Sequence, residues 1–268
     1  MNSQDGPAPA CPESSDSPGP VHSVSLDVVK PIAYKGQVTE RRVEEEHPGE
    51  PRLPAACAVV AAIALYGALP NELIVGPRFV VPLFELLLFI PLVAVNPRRM
   101  TRTNGLLRRL SIGLVLVIAA ANASALILLV HELVSGQTNQ GPLLLLAAAQ
   151  VWLTNIIVFA LAYWELDRGG PVDRTQSAAS ALPPADFRFP QDEDHDAIYE
   201  VAARSSAQSG WTPGFIDYLY VSVTNSSAFS PTDTMPLSPR VKLLMAAESV
   251  SALMLSVLVI SRGVSLLP

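Results

Sequence analysis

The sequence predicts an all-α fold: a multi-spanning transmembrane helical bundle of five to six spans behind a disordered N-terminal tail. Three observations carry that expectation. Half of the 268 residues are hydrophobic and only 16% are charged, against about a quarter in an ordinary soluble domain. The charges crowd into the first fifty residues, one arginine-rich connection and one acidic segment, leaving long stretches almost free of them. Several of those stretches approach the roughly 20 apolar residues that a bilayer core demands of a helix.

Residues 1–52 are rich in Pro, Ser, Asp and Glu and lack an apolar period able to bury a core, which predicts a disordered cytoplasmic tail. Residues 53–164 read as a four-helix transmembrane region. Its first span, Leu53 to Leu69, is rich in Ala and Gly, residue types that let another helix approach closely in lipid. The second, Phe79 to Val95, contains Pro82 and Pro91, which free backbone carbonyls that neighbours must satisfy. The third, Leu110 to Val130, and the fourth, Leu143 to Trp164, follow; Tyr163 and Trp164 suit an interfacial aromatic belt.

Between the second and third spans stand Arg98, Arg99, Arg102, Arg108 and Arg109, whereas the connection 131–142 has no Lys or Arg. Short basic loops stay cytoplasmic, so residues 96–109 and the N-terminus are expected inside, in agreement with Lys30, Lys35, Arg41, Arg42 and Arg52. Residues 165–213 form a polar cytoplasmic loop, long for a structureless connection, which either holds a short helix, with Asp194 to Ser206 the best candidate, or is mobile. Residues 214–268 combine a weak apolar run, Phe215 to Ser230, with a long helix from Val241 to Leu267. That run either crosses as a tilted helix, giving six spans, or dips and returns, giving five and an external C-terminus. Six is the favoured reading, because Arg262 then falls inside.

The stretch from Tyr218 to Arg240 reads YLYVSVTNSSAFSPTDTMPLSPR, and the helix after it bears Glu248. It resembles the pore helix, filter and inner helix of the two-helix potassium-channel module. Asp233, Pro236 and Pro239 keep that family's spacing, Ser226 and Ser227 stand at its hydroxyl positions, and Glu248 stands where its inner helix often has a glutamate. The resemblance implies a tetrameric homo-oligomer and pore-lining roles for Thr224, Ser226, Ser227, Thr232 and Asp233. Such a degenerate pore segment after several spans is similar to that of bacterial multi-pass membrane proteins, which implies residence in the cytoplasmic membrane. The filter itself departs: Ala228 to Thr232 contains no glycine, and Pro231 fixes φ and removes a donor. A potassium filter needs a ring of carbonyls aimed at the axis, so selective potassium conduction by the usual filter is not expected.

Two acidic residues fall inside apolar segments. Glu85, in the second span, and Glu248, in the last helix, are functional candidates by virtue of their cost at that depth, or protonated groups that tie helices together. Asp217 reads as a helix cap or interfacial residue. Asn122, Ser124, Gln150, Thr154 and Asn155 read as interhelical hydrogen-bonding groups. The run Asp192 to Asp196 lacks the glycine and distal glutamate of an EF-hand loop, and His131-Glu132 reads as an interfacial pair. Cys11 and Cys57 have no metal-ligand neighbours and imply no disulfide framework. No G-x-S-x-G, H-E-x-x-H or phosphate-cradling glycine loop occurs, and a net charge of -6 disfavours nucleic acid. The expected class is therefore a non-enzymatic membrane protein without cofactor or metal, either channel-like and transport-related or a non-conducting scaffold.

Overall fold

The computed structural model describes residues 48–102, 104–135, 141–178, 181–193, 204–227 and 233–265, all within one compact unit, Lys35–Pro268. Among them the order is β1 (Glu50–Pro51), α1 (Leu53–Gly67), α2 (Val80–Val95), β2 (Arg99–Met100), α3 (Gly105–Ser135), α4 (Gly141–Leu166), α5 (Pro171–Gln176), β3 (Phe187–Arg188), α6 (Ser206–Ser209), α7 (Phe215–Ser227), β4 (Met235–Pro236) and α8 (Pro239–Ser265). The all-α class holds. The two β-ladders are two-residue clasps between connections, β1 with β2 and β3 with β4, both antiparallel.

Helices α3, α4 and α8 are long and apolar enough to cross a membrane; α1 and α2 are shorter apolar helices. At about 1.5 Å per residue, the 31, 26 and 27 residues of the long helices exceed a hydrocarbon core of about 30 Å. Their outward faces expose Leu116, Ile127, Leu146, Leu243, Val257 and Ile260, while Asn122, Asn155 and Glu248 are buried. Apolar outside and polar inside suits lipid as the surrounding solvent, so the chain is compatible with an integral membrane protein.

Helix α4 is the centre of the bundle and packs against α1, α3, α7 and α8, with α2 held between α1 and α3. One end of the bundle gathers the start of α1, the end of α2, the start of α3 and the end of α4. There the Arg52 amide donates to the Arg98 carbonyl at 3.1 Å, and the Arg108 guanidinium donates to the Gly169 carbonyl. We call this the basic end. Asn96 closes the turn from α2 to α3, accepting from the amides of Thr101 and Arg102 and donating to the Arg102 carbonyl. The chain leaves α4 through left-handed Arg168, Gly169 and Gly170, a conformation that glycine adopts without steric cost. At the far end Tyr66, Leu73, Leu129, Leu133 and Leu144 form a second core, and Arg78 caps α1 by donating to the carbonyls of Gly67 and Leu69.

The course of the chain around α7 bears on the span count. Helix α7 starts at the basic end, where the Phe215 amide donates to Glu50 Oε1 at 2.7 Å, and its 13 residues reach only about 20 Å. By Met235 the chain is back at that end: β4 pairs with β3, the Leu237 amide donates to the Asp186 carbonyl at 2.7 Å, and Arg240 reaches the Leu166 carbonyl at 3.3 Å. The chain thus stands at the basic end both before α7 and at β4. Helix α8 then departs from the basic end, which carries Arg262 toward the opposite one.

Glu50 is 8% exposed and paired, so residues 48–52 belong to the folded body; residues 1–47 lie outside the described residues. The 165–213 segment holds α5, β3 and α6, while most of its expected helix, residues 194–203, lies outside the described residues.

Candidate functional site

Helix α8 buries a stripe of Val241, Met245, Glu248, Ala252 and Leu255, spaced four, three, four and three residues apart, the pattern of a helix packed along one face. Glu248 lies at its centre and is fully buried. Four donors converge on its carboxylate. Tyr163 of α4 donates to Oε2 at 2.6 Å, Asn225 of α7 to Oε2 at 2.7 Å, and Ser226 of α7 to Oε1 at 2.9 Å. Ser222 of α7 also bonds Oε1. One acidic side chain thus joins three helices.

The Ser222 hydroxyl stands within 2.9 Å of the Ile156 carbonyl as well. Its single proton cannot serve both acceptors. Given to Glu248, it completes four donors around a carboxylate; given to Ile156, it leaves Glu248 to hold a proton and donate to Ser222. The site accommodates either form without an orphaned polar atom.

A polar chain continues from this hub across the bundle. Asn225 donates also to the Met245 carbonyl at 3.0 Å and accepts from Ser249 at 2.9 Å. Ser251 bonds the Glu248 carbonyl at 2.8 Å and accepts from Asn155, which accepts from Asn122 at 3.2 Å. Thr154 bonds the Gln150 carbonyl of its own helix and Ser124 that of Ala121. The uncharged polar residues of the spans therefore act as hydrogen-bonding groups between or within helices.

The residues assigned to a pore divide. Ser226 is buried on Glu248. Thr224 and Ser227 bond carbonyls of their own helix, Tyr220 at 2.9 Å and Val223 at 2.6 Å. Asp233 is exposed near the basic end, and Thr232 lies outside the described residues. Asp217 caps the start of α7, accepting from the Gly214 amide at 2.7 Å. Glu193 pairs with Arg188 and Asp192 with Arg168, and no cluster of three metal-ligating groups occurs among the described residues.

Glu85 is the opposite of Glu248. It is 1% exposed, and neither carboxylate oxygen has a hydrogen-bond partner. A buried unsatisfied polar group costs about 1–3 kcal/mol, so Glu85→Leu is expected to stabilise the bundle by about 1–3 kcal/mol, read as an upward shift of the unfolding midpoint in detergent. An unchanged or lower midpoint would mean that a partner satisfies the carboxyl.

A second buried network lies at the basic end. Glu50 Oε1 accepts from the Trp164 indole at 2.9 Å and from the Phe215 amide, while Oε2 pairs with Arg174 at 3.0 Å. Arg174 also donates to the Trp164 carbonyl at 2.9 Å and lies 5.0 Å from the Tyr218 ring centroid. Asp167, fully buried, accepts from Tyr218 at 2.6 Å and from the Asp186 amide at 2.7 Å. Arg240 pairs with Asp186. Nearby, burial draws Arg52 below the usual guanidinium range, an effect that the charge of Glu165 opposes.

Comparison of the chain with protein-family models, with curated proteins and with solved structures found no match. The functional reading therefore rests on the geometry alone.

Proposed function

We propose that the chain is an integral membrane protein of five crossings, α1 to α4 and α8, with α7 as a re-entrant helix, and that it serves as a non-conducting scaffold in a cell membrane. The single observation that carries this reading is the occupation of α7's buried polar face. Ser222, Asn225 and Ser226 all bond Glu248 within their own chain, whereas pore-lining groups must face an axis shared between copies. The direction of α7 supports it as well. With the basic end in the cytoplasm, as the positive-inside rule favours, α7 enters from inside, while the pore helix of the resembled channel module enters from outside. The N-terminus is then cytoplasmic and the C-terminus external.

Purified protein in liposomes loaded with a fluorescent ion reporter tests the reading. Wild type and Asp233→Ala are expected to leak no faster than empty liposomes. A leak that Asp233→Ala reduces would replace the scaffold with an ion-conducting protein.

The unpartnered Glu85 favours a second, transport-related reading, because an uncompensated carboxyl at membrane depth is a natural proton-binding group. In that case a pH reporter inside the liposomes shows proton movement that Glu85→Leu abolishes, even as the same substitution stabilises the fold.

A further inference from the structure

We propose that the basic end carries a binding site for the phosphate group of an anionic phospholipid, in a cavity walled by α1, α2, α3 and the α4–α5 turn. This inference rests on the membrane reading above. The cavity measures about 70 Å³, and at about 10–15 Å³ per water it holds roughly five waters, the bulk of a phosphate group. It adjoins a wider hollow of about 540 Å³ that shares Arg102, Leu107, Val172 and Asp173 with its wall. A headgroup extending from the phosphate fits that outer space.

The lining is divided by polarity. Toward the basic end stand Arg52, Arg102 and Arg108, with Ser111, Glu165 and Asp173. Deeper in the bundle the wall is apolar, with Phe89, Leu92 and Val115. A water-soluble anion would have no use for the apolar wall, and an acyl chain would have none for the arginines. A phospholipid has use for both.

Hydrogen bonding separates the committed groups from the available one. Arg108 donates to the Gly169 carbonyl and, at 3.2 Å, to the Glu165 carbonyl, and Ser111 bonds the Glu165 carboxylate. Arg52 is different: it stands in the cavity wall, and its Nε, closed off from solvent, has no hydrogen-bond partner. Arg102 is exposed at the mouth, in the wall of both hollows. A phosphate in the cavity would set its charge against the part of the Arg52 guanidinium that lines it, with Arg102 positioned to hold the outer oxygens. Basic pockets between transmembrane helices on the cytoplasmic side are a recurrent solution for anionic headgroups.

The test uses the full chain in nanodiscs of phosphatidylcholine alone or with phosphatidylglycerol, and reads thermal unfolding together with the lipids retained in native mass spectrometry. The wild type is expected to be stabilised by phosphatidylglycerol and to retain it in preference to phosphatidylcholine. Arg52→Gln and Arg102→Gln should each reduce that preference about five-fold, the effect of one arginine at a membrane surface. Arg109→Gln, exposed at the same end but outside the cavity wall, should leave it unchanged. Arg52→Lys, which keeps the charge and removes the planar guanidinium, should fall between, and it carries the test if Arg52→Gln fails to fold. Equal losses from Arg52→Gln and Arg109→Gln would overturn the site in favour of a diffuse basic surface. Stabilisation by inorganic phosphate or glycerol phosphate that Arg52→Gln removes would overturn the lipid and leave a soluble anion. No phosphatidylglycerol preference in a chain that resists alkaline carbonate extraction overturns this inference alone, whereas a chain released by carbonate overturns the membrane reading beneath it.

Discussion

Glu248→Leu is expected to destabilise the bundle by about 4 kcal/mol and to release α7 from its seat. Leucine fills much of the same volume but accepts nothing. Tyr163, Ser222, Asn225 and Ser226 would each lose an acceptor in the interior, and an orphaned buried donor costs about 1–3 kcal/mol. Ser222 and Asn225 have fallbacks in the carbonyls of Ile156 and Met245, which holds the sum near the lower part of that range. Glu248→Gln is the discriminating control. Its amide nitrogen can face Ser222 and Ser226, whose hydroxyls are able to accept, while its oxygen keeps Tyr163 and Asn225. A cost of about 1 kcal/mol is expected. Unfolding in detergent measures both, and alkylation of a cysteine placed at buried Val221, in a chain whose two native cysteines are replaced by serine, reports whether α7 has undocked. If Leu and Gln are equally mild, the hub does not anchor α7.

That hub shows what could be read along the chain and what could not. An acidic residue inside an apolar helix is visible in one dimension, so Glu85 and Glu248 were identifiable from their neighbours alone. What surrounds them was not. Tyr163 looks like an interfacial belt residue by position, and only the packing of α7 on α4 turns its hydroxyl inward. The hydroxyl-rich run of α7 is legible as a special segment, but whether it crosses or dips is not. A run of sixteen weakly apolar residues is ambiguous between a tilted crossing and a dip, and what bears on it, the β3–β4 pairing and Arg240, lies outside the run. The apolar helices α1 to α4 and α8 were legible because bilayer-length apolarity is a local property.

The basic-end network escaped entirely. Glu50 stands in a stretch whose charge and proline content resemble those of a solvated tail, and Arg174 in a polar connection, so neither has a local signature of burial. They meet across 124 positions of sequence. The five arginines from the end of α2 to the first turn of α3 point to topology in the sequence, and the structure adds that Arg108 holds the α4–α5 turn and Arg99 bonds the Gly49 carbonyl at 2.8 Å. A basic loop can orient a chain and also build the end of its fold.

Arg174→Ala is expected to cost about 3–5 kcal/mol, the usual consequence of removing one partner from a buried ion pair. The Arg174 side chain is fully buried and that of Glu50 is 7% exposed, so water cannot replace the guanidinium cheaply. The loss also strips a donor from the Trp164 carbonyl and a cation from the Tyr218 ring. Glu50 would keep the Trp164 indole and the Phe215 amide, but as an unpaired charge beneath the start of α7. Pairing Arg174→Met with Glu50→Gln removes both charges while keeping an acceptor for those two donors. The double variant is therefore expected to be more stable than Arg174→Met alone, with a favourable coupling of more than about 1 kcal/mol in the cycle of wild type, Arg174→Met, Glu50→Gln and the double variant. Unfolding of the four proteins in one detergent gives the number. Simple additivity would mean that Glu50 and Arg174 stabilise the basic end independently, and that the charge pair is incidental to how β1, α4 and α7 are joined.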